Sequence, residues 1–259
     1  MSVRFEMRGH TALLTLEDPD RRNALSRAIV REALESLERA KAQGARGIVI
    51  AGQGKAFCSG ANMDDLRDGW MDGDEQDTDP VRLFRALVES PIPVTAAVHG
   101  AALGGGFELT MCCDLVVAGE NAWFALPELG VGVIPNTALA MLPHLVGARK
   151  TLELVLKRDK LSAVAAMALG LVNQVVPAGT EVEAALAITQ GIYDGATPSA
   201  LAVAKKALRS HNPIDWELVR STLNEVDRAE WNEGLSAFTA RQPFNHEKFW
   251  QNNNNERGA

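Results

Sequence analysis

The sequence is poor in several features that mark whole classes of protein. It has one tyrosine, three cysteines and five histidines in 259 residues, and no apolar run reaches the roughly 18 residues that a membrane-spanning helix needs. With a formal net charge of −7 at pH 7, it lacks the excess of lysine and arginine with which proteins bind nucleic acid or an anionic membrane. We therefore expect neither among its partners, and an anionic ligand would need a local cluster of cations.

The cysteines and histidines show no pattern of a disulfide framework or a metal site. Cys58, Cys112 and Cys113 are odd in number, and the first ten residues contain no apolar core of a signal peptide. These features predict reduced thiols and a cytoplasmic location. The histidines lack the spacing of metal ligands, so we expect no metal ion.

Hydrophobic residues make up 46% of the chain, enough for a sizeable core, and their pattern predicts an α/β fold that becomes helical towards its end. Residues 3–18 alternate like a hairpin, and 47–52, 94–98 and 114–119 are apolar runs typical of buried strands. Capping residues at Ser26, Asn62 and Asp79 predict helix starts. The later helices are expected at 137–146, 148–157, 162–170, 181–193, 199–210 and 215–240, with a short strand within 171–176.

One unit occurs twice: a buried strand, a glycine turn and a helix start. Its copies are "GIVIAGQGKAFCSGANM" and "VTAAVHGAALGGGFEL". A glycine turn at a helix start presents unpaired backbone N–H groups, and two such turns side by side can aim two donors at one oxygen, as an oxyanion hole does. Close packing of helix on strand is the alternative explanation. The spacing fits neither a dinucleotide fingerprint, nor a phosphate loop, nor a nucleophile elbow.

Two glutamates stand alone among apolar residues. Glu108 falls in the first turn of the predicted helix after the second glycine turn, and Glu128 lies in "ALPELGVGVIP". Burial and mutual repulsion raise carboxyl pKa values towards neutral pH, which suits general acid–base catalysis. The alternatives are an ordinary helix-terminal acid and a buried acid held by backbone N–H groups. Residues 68–79 form an acidic, glycine-containing loop, which is typical of a solvated spacer. Its Trp70 and Met71 are unusual in a spacer, so a lid over a binding site is the alternative interpretation.

Six segments in order resemble the crotonase, or enoyl-CoA hydratase/isomerase, superfamily. They are "DRRNALS", "GKAFCSGAN", "HGAALGGGFELTMCCDLVVA", "FALPELGVGVIP", "LPHLVG" and "ALGLVNQVVP". The resemblance implies a crotonase-like spiral of ββα units over residues 1–200. It also implies a helical C-terminal trimerisation region over 201–259, and a homo-oligomer that is a trimer or a dimer of trimers.

The resemblance further implies an enzyme that acts on an acyl-CoA thioester. By position, the oxyanion donors are the amides of Ala61 and Gly105, and the catalytic pair is Glu108 and Glu128. Possession of both glutamates resembles the hydratases, which add water to a 2-enoyl-CoA to give a 3-hydroxyacyl-CoA. No cofactor is expected, because CoA enters as part of the substrate. The residues expected to bind the substrate or its CoA are Arg22, Ala24, Lys55, Phe57, Gly60, Asn62, Met63, Gly104 and Arg241.

One segment departs from the family pattern. Family hydratases carry "PGxGGTQRL" after the second glutamate, whereas this chain has "PNTALAML" at 135–142, without those glycines and one residue shorter. The family uses this backbone to border the water and the acyl group. Two alternatives therefore stand beside hydration: another crotonase reaction (double-bond isomerisation, C–C cleavage or thioester hydrolysis) and a CoA-binding protein without catalysis.

Overall fold

The structure, a computed structural model, describes residues 2–71 and 77–250. In that part of the chain the strands form two sheets, one of six strands in the order β1-β2-β3-β5-β7-β10 and one of four in the order β4-β6-β8-β9. The strands are β1 (Ser2–Arg8), β2 (Thr11–Glu17), β3 (Gly47–Gly52), β4 (Ala56–Cys58), β5 (Val94–Val98), β6 (Ala101–Leu103), β7 (Leu115–Gly119), β8 (Trp123–Ala125), β9 (Leu161–Ser162) and β10 (Gln174–Val176).

The helices alternate with the strands in the first two thirds of the chain and dominate the last third. They are α1 (Arg27–Ala42), α2 (Met63–Arg67), α3 (Pro80–Glu89), α4 (Gly105–Met111), α5 (Asn136–Val146), α6 (Ala148–Lys157), α7 (Ala163–Ala168), α8 (Glu181–Gly195), α9 (Pro198–His211), α10 (Trp216–Ser221) and α11 (Arg228–Thr239). Short 3-10 helices cover Pro19–Arg21, Glu128–Val131 and Thr222–Glu225. No helix in the described part of the chain combines the length and apolar character needed to cross a membrane.

The topology is a repeated ββα unit, which confirms the expected fold class. β1 and β2 form an antiparallel hairpin, and β2, β3, β5, β7 and β10 run parallel across the larger sheet. After β3, β5 and β7 the chain crosses to the smaller sheet as β4, β6 and β8, respectively. A glycine turn and a helix follow β4 and β6. This repeat stacks equivalent turns next to one another, because β4 pairs with β6 and β6 with β8.

The three predicted helix caps are confirmed. Ser26 Oγ accepts from Ile29 N at 3.2 Å, Asp79 Oδ1 accepts from Val81 N at 2.8 Å, and Asn62 Oδ1 accepts from the amides of residues 64 and 65 at 3.0 and 3.1 Å. Each cap satisfies amides that the first helical turn leaves without an intrahelical partner. The sequence therefore located these starts correctly.

One expectation about the elements is wrong, and one group of strands was missed. The single helix predicted over 215–240 is broken, because Val226 is extended and Asp227 caps a new helix through the amides of Ala229 and Glu230. The strands of the smaller sheet were not predicted, since two or three residues are too few to show a period of two. The predicted boundary at residue 200 falls inside α9, and the division into two regions stays a prediction.

The loop predicted at 68–79 lies partly outside the described residues, which exclude 72–76. Its described part is anchored: Trp70 is fully buried, and its Nε1 donates to Thr78 O at 3.0 Å. A solvated spacer does not explain a buried tryptophan. The main core contains Trp70 with other large side chains, including Phe107 and Phe124, whose ring centroids lie 5.0 Å apart. This packing fixes α4, which carries Glu108.

Candidate active site

A cavity of about 850 Å³ lies where the two glycine turns meet α3, α5 and the C-terminal helices. The turns contribute Gly60 and Ala61 on one side and Gly104 and Gly105 on the other. Both predicted glutamates border the same space. The fold therefore gathers, in one cavity, residues that the sequence spreads over nearly 70 positions.

The amides of Ala61 and Gly105 are neighbours at the cavity wall. Leu25 N donates to Gly60 O at 2.8 Å and Asn62 N to Leu25 O at 2.6 Å, so the Ala61 amide between them points away from Leu25. A methyl group built on Gly105 would lie only 3.6 Å from Ala61 N. Among the described residues, neither amide donates to a backbone carbonyl of a neighbouring segment. Two adjacent N–H donors are thus available for one oxygen.

The three consecutive glycines, 104 to 106, differ in why a glycine stands at each position. Gly104 has φ +51°, and a methyl group there would overlap Glu128 Oε1. A methyl group on Gly106 would overlap the carbonyl oxygen of Cys58. Gly105 has ordinary room for a methyl group, whose nearest neighbour would be Leu25 Cδ1 at 3.5 Å. Close packing, the alternative that the sequence left open, therefore explains Gly106, whereas Gly105 and Gly104 face the cavity.

Glu108 is a buried carboxylate at the start of α4, with 5% of its surface exposed. Its Oε1 accepts from Ala138 N, in the first turn of α5, at 2.8 Å. Burial raises the pKa of Glu108 to about 7, although the Ala138 and Thr137 amides favour the charged form and oppose the rise. Such a group changes its protonation state near neutral pH, as a general acid or base must.

Glu128 begins the 3-10 helix Glu128–Val131 and sends its carboxylate to Gly104. The residue as a whole is half-buried, but its Oε2 is buried and has no hydrogen-bond partner among the described residues. Burial raises the pKa of Glu128 well above its usual value, and the charge of Glu108 raises it further. The two carboxyls therefore influence each other's protonation across the cavity.

Comparison with known proteins identifies the family to which this fold belongs. The model of the family described as "Enoyl-CoA hydratase/isomerase" matches residues 6–248. The chain belongs to this family. The 2,3-dehydroadipyl-CoA hydratase of Escherichia coli is 34% identical over 89% of this chain and 92% of that protein. The mitochondrial enoyl-CoA hydratase of Pongo abelii is 34% identical over 90% of this chain and 82% of that protein.

A solved structure agrees. The crystal structure of carnitinyl-CoA hydratase from Mycobacterium avium superimposes with a TM-score of 0.83 at 32% identity, covering 94% of this chain and 97% of that one. The chain is thus an enzyme of the crotonase superfamily that carries out a crotonase-type reaction on an acyl-CoA. Membership in a family of enzymes favours catalysis over the alternative of a CoA-binding protein without activity.

Most residues that the sequence predicts for the site of this family member border the cavity. Lys55 and Phe57 are the exceptions: Lys55 is exposed outside the cavity lining, and Phe57 is fully buried in the core, because β4 turns its side chain inward. The geometry gives these two no contact with the cavity, and the roles of the others stay predictions. Those at the cavity are Arg22, Ala24, Gly60, Ala61, Asn62, Met63, Gly104, Gly105, Glu108, Glu128 and Arg241.

Several lining residues were not predicted from the sequence. Val81 and Phe84 come from α3, and Leu223 comes from the C-terminal 3-10 helix. Met71, which the sequence singled out as a residue of the acidic loop, also borders the cavity. Apolar residues on a helix look alike whether they face a core or a cavity, so only the fold distinguishes them. For Asn136 there was a signal, since it stands in the segment that departs from the family pattern. Across the described residues, no group of three or more His, Cys, Asp or Glu side chains could hold a metal ion.

Proposed function

We propose that this enzyme adds water to the double bond of a 2-enoyl-CoA and forms a 3-hydroxyacyl-CoA. The observation that carries the proposal is that the buried Glu108, the partly buried Glu128 and two unpaired amides meet in one cavity. Possession of both glutamates is the feature by which the sequence resembles the hydratases of the family. The retention of both acids therefore favours hydration.

In the proposed reaction, the thioester oxygen accepts hydrogen bonds from the amides of Ala61 and Gly105. Attack of water on C3 sends electrons towards that oxygen, and the two donors stabilise the enolate that forms. One carboxylate removes a proton from the water, and a proton is delivered to C2, so one water molecule is added in total. The charge of Glu108 raises the pKa of Glu128, so the protonation of one glutamate depends on that of the other. The proposal therefore assigns the acid and base roles to the pair and not to either residue singly.

The acyl group is proposed to be apolar. The side chains that α3 and the Thr222–Glu225 helix contribute to the cavity are Pro80, Val81, Phe84 and Leu223, all without charge. A charged acyl end would lose its hydration there without gaining a partner. At the same cavity, Arg22 and Arg241 are exposed and positively charged, which suits the phosphates of CoA. No cofactor other than the CoA of the substrate is proposed.

We also propose that the enzyme is a homo-oligomer of the cytoplasm. Within the described chain, the large apolar side chains that remain exposed all lie beyond residue 144. Leu152 and Leu156 stand one turn apart on α6 and are 53% and 60% exposed. A second copy of the chain can cover such a surface, and the acidic composition offers no reason for a membrane to do so.

A second candidate is another crotonase reaction, such as double-bond isomerisation. It is favoured by the Ala138 amide, which lies in the altered segment and is already bound by Glu108. An amide used in this way does not support a water. Isomerisation needs a proton shuttle but no added water.

One experiment separates the candidates. The purified enzyme is incubated with apolar and carboxylated 2-enoyl-CoA esters in water labelled with heavy oxygen, and the products are identified by mass spectrometry. Hydration places the label on the C3 hydroxyl, thioester hydrolysis places it in a free carboxylate, and isomerisation incorporates none. A product without label at C3 for every ester would overturn the proposal of hydration.

A further inference from the structure

Asn136 connects two parts of the molecule that sequence analysis treats separately. It is the first residue of α5, is only 7% exposed, and its Nδ2 donates to Val219 O of α10 at 2.8 Å. Its Oδ1 accepts from the amide of Thr137 at 3.1 Å. Both ends of the buried amide are therefore bonded, one to the neighbouring backbone and one across to the C-terminal helices.

Helix capping does not explain this residue. The cap position of α5 is occupied by Pro135, and no side chain caps the helix. Asparagine also has a lower helix propensity than most residues that could stand there. The side chain instead reaches 83 positions along the chain to a carbonyl near the end of α10. Its contact is thus between elements.

The helix start that Asn136 fixes is the one that binds Glu108. Two residues after Asn136, Ala138 N donates to Glu108 Oε1 at 2.8 Å. The next residue of α10, Arg220, bonds Asp79 at the start of α3 with Nε to Oδ2 at 2.9 Å. Consecutive residues of α10 thus bind the starts of two helices that border the cavity. Hydrogen bonds therefore connect α10, through Asn136 and the start of α5, to the backbone that holds Glu108.

We propose that Asn136 is a positioning residue, which holds the start of α5 against α10 so that the Ala138 amide stays on the Glu108 carboxylate. Through this bond the C-terminal helices set the balance between charged and neutral Glu108. The predicted shift in the protonation of Glu108 does not depend on which reaction the enzyme catalyses. Only its consequence for turnover rests on the proposed function.

The other titratable groups near α4 are few. Glu128 faces Glu108 across the cavity, Cys112 follows on the same helix, and Cys58 lies on β4 beneath it. Burial raises the pKa of Cys58 to about 12 and that of Cys112 well above its usual value, so both thiols stay neutral in the neutral range. On α5, His144 stands in the last turn, at the opposite end from Ala138. Of these described groups, Glu128 is the one whose titration interacts with that of Glu108.

The test measures the protonation of Glu108 directly in the full-length, ligand-free enzyme. The infrared band of protonated carboxyl groups is followed against pH in the wild type and in Asn136→Ala, and Glu108→Gln assigns the contribution of Glu108. Loss of Asn136 weakens the bond to the charged form, so we expect the midpoint to rise by about one pH unit. Asn136→Ser, which keeps a short acceptor for the Thr137 amide but cannot reach Val219, should give the same rise.

Asn173→Ala is the matched control. Asn173 also makes a 2.8 Å hydrogen bond to backbone, from Val116 N, but it lies outside the cavity lining. It should lower the melting temperature without moving the Glu108 midpoint. An unchanged midpoint in both Asn136 variants would overturn the proposal and leave Asn136 a structural residue. Absence of hydration by the wild type would overturn the proposed function alone, because the titration needs no turnover.

Discussion

The carboxylate of Glu128 occupies the space in which a side chain on Gly104 would begin. A methyl group at Gly104 would overlap Glu128 Oε1, and the backbone there has φ +51°. Glycine is thus required twice at one position, for its conformation and for the space that it leaves. That space allows the acid of one ββα unit to reach the glycine turn of the preceding unit, next to the amide of Gly105.

The first prediction concerns this contact. Gly104→Ala should displace Glu128 and lower kcat by at least about tenfold, since a shifted acid–base group loses much of its effect. Gly147→Ala is the control, because Gly147 also has a positive φ of +79° but no atom within 4 Å of the added methyl group. Steady-state kinetics and melting curves of both variants decide. If Gly104→Ala and Gly147→Ala lose the same stability and Gly104→Ala keeps the kcat of the wild type, catalysis does not require the position of Glu128 against Gly104.

The second prediction concerns the two acids. Glu108→Gln and Glu128→Gln keep the shape of the side chain but remove proton transfer. Each should lower kcat by about 10²–10⁴, the usual contribution of a positioned acid or base. The double variant should lose less than the product of the single losses, since both groups act on one water. Full activity of Glu128→Gln would favour isomerisation over hydration.

The third prediction is a dependence of stability on pH. The folded protein holds the Glu108 proton more tightly than the unfolded chain does, since folding raises its pKa from 4.5 to about 7. The contribution of Glu108 protonation to the free energy of unfolding is complete below pH 4.5 and is lost as the pH rises through 7. The loss amounts to about 3 kcal/mol. Glu108→Gln should therefore be more stable than the wild type at pH 8 but not at pH 4, as measured by urea unfolding at one protein concentration. Parallel stability curves for the two proteins would refute the raised pKa.

The sequence predicted the elements whose signals are local. Ser26, Asn62 and Asp79 cap the helices that they were expected to cap, because the capping oxygen and its amide partners lie within three residues. The break near Val226 was missed, although Asp227 is a residue type that caps helices, since the apolar pattern continues across it. The short strands of the second sheet exist only by pairing with one another, which no local pattern reveals.

The site divides in the same way. The apolar surroundings of Glu108 and Glu128 singled them out in the sequence, and the resemblance added the amides of Ala61 and Gly105. The fold places all four residues at one cavity. Phe57 lies in the same matching segment, "GKAFCSGAN", as Gly60 and Ala61, yet its side chain is buried in the core. The contact between Asn136 and Val219 spans 83 positions, and nothing in either local sequence predicts it. Long-range contacts between helices are the part that only the folded chain supplies.

The fourth prediction concerns assembly. If a second copy covers the exposed face of α6, the variant Leu152→Glu with Leu156→Glu should dissociate to a smaller species without unfolding, because both side chains are more than half exposed in a single chain. Light scattering at micromolar concentration, with circular dichroism for folding, measures this. Arg149→Glu adds a carboxylate elsewhere on α6 and should remain assembled. A monomeric wild type would contradict the proposal of a homo-oligomer.

The last prediction concerns the backbone at Gly105. Gly105→Pro deletes the amide hydrogen, and the proline ring occupies the place where the substrate oxygen is proposed to bind. The first position of α4 tolerates proline, and Gly104 before it, with φ 51° and ψ −124°, lies outside the right-handed helical region that proline disfavours in its predecessor. We therefore expect a folded protein whose kcat is lower by roughly 10²–10³. Affinity for CoA should be nearly unchanged, because the nucleotide is proposed to bind at the arginines.

Gly105→Ala is the control for that experiment, because it keeps the amide hydrogen. Its methyl group meets Leu25 Cδ1 at 3.5 Å and Ala61 N at 3.6 Å, which are ordinary contacts, so any loss of turnover in this variant measures crowding alone. Gly106→Ala cannot serve, since its methyl group would overlap the Cys58 carbonyl oxygen and disturb α4. The excess loss in Gly105→Pro over Gly105→Ala measures the loss of the N–H group together with the ring that takes its place. If the two variants fold and turn over substrate equally, the amide of Gly105 does not stabilise the enolate, and the open backbone at this turn serves only the approach of Gly60.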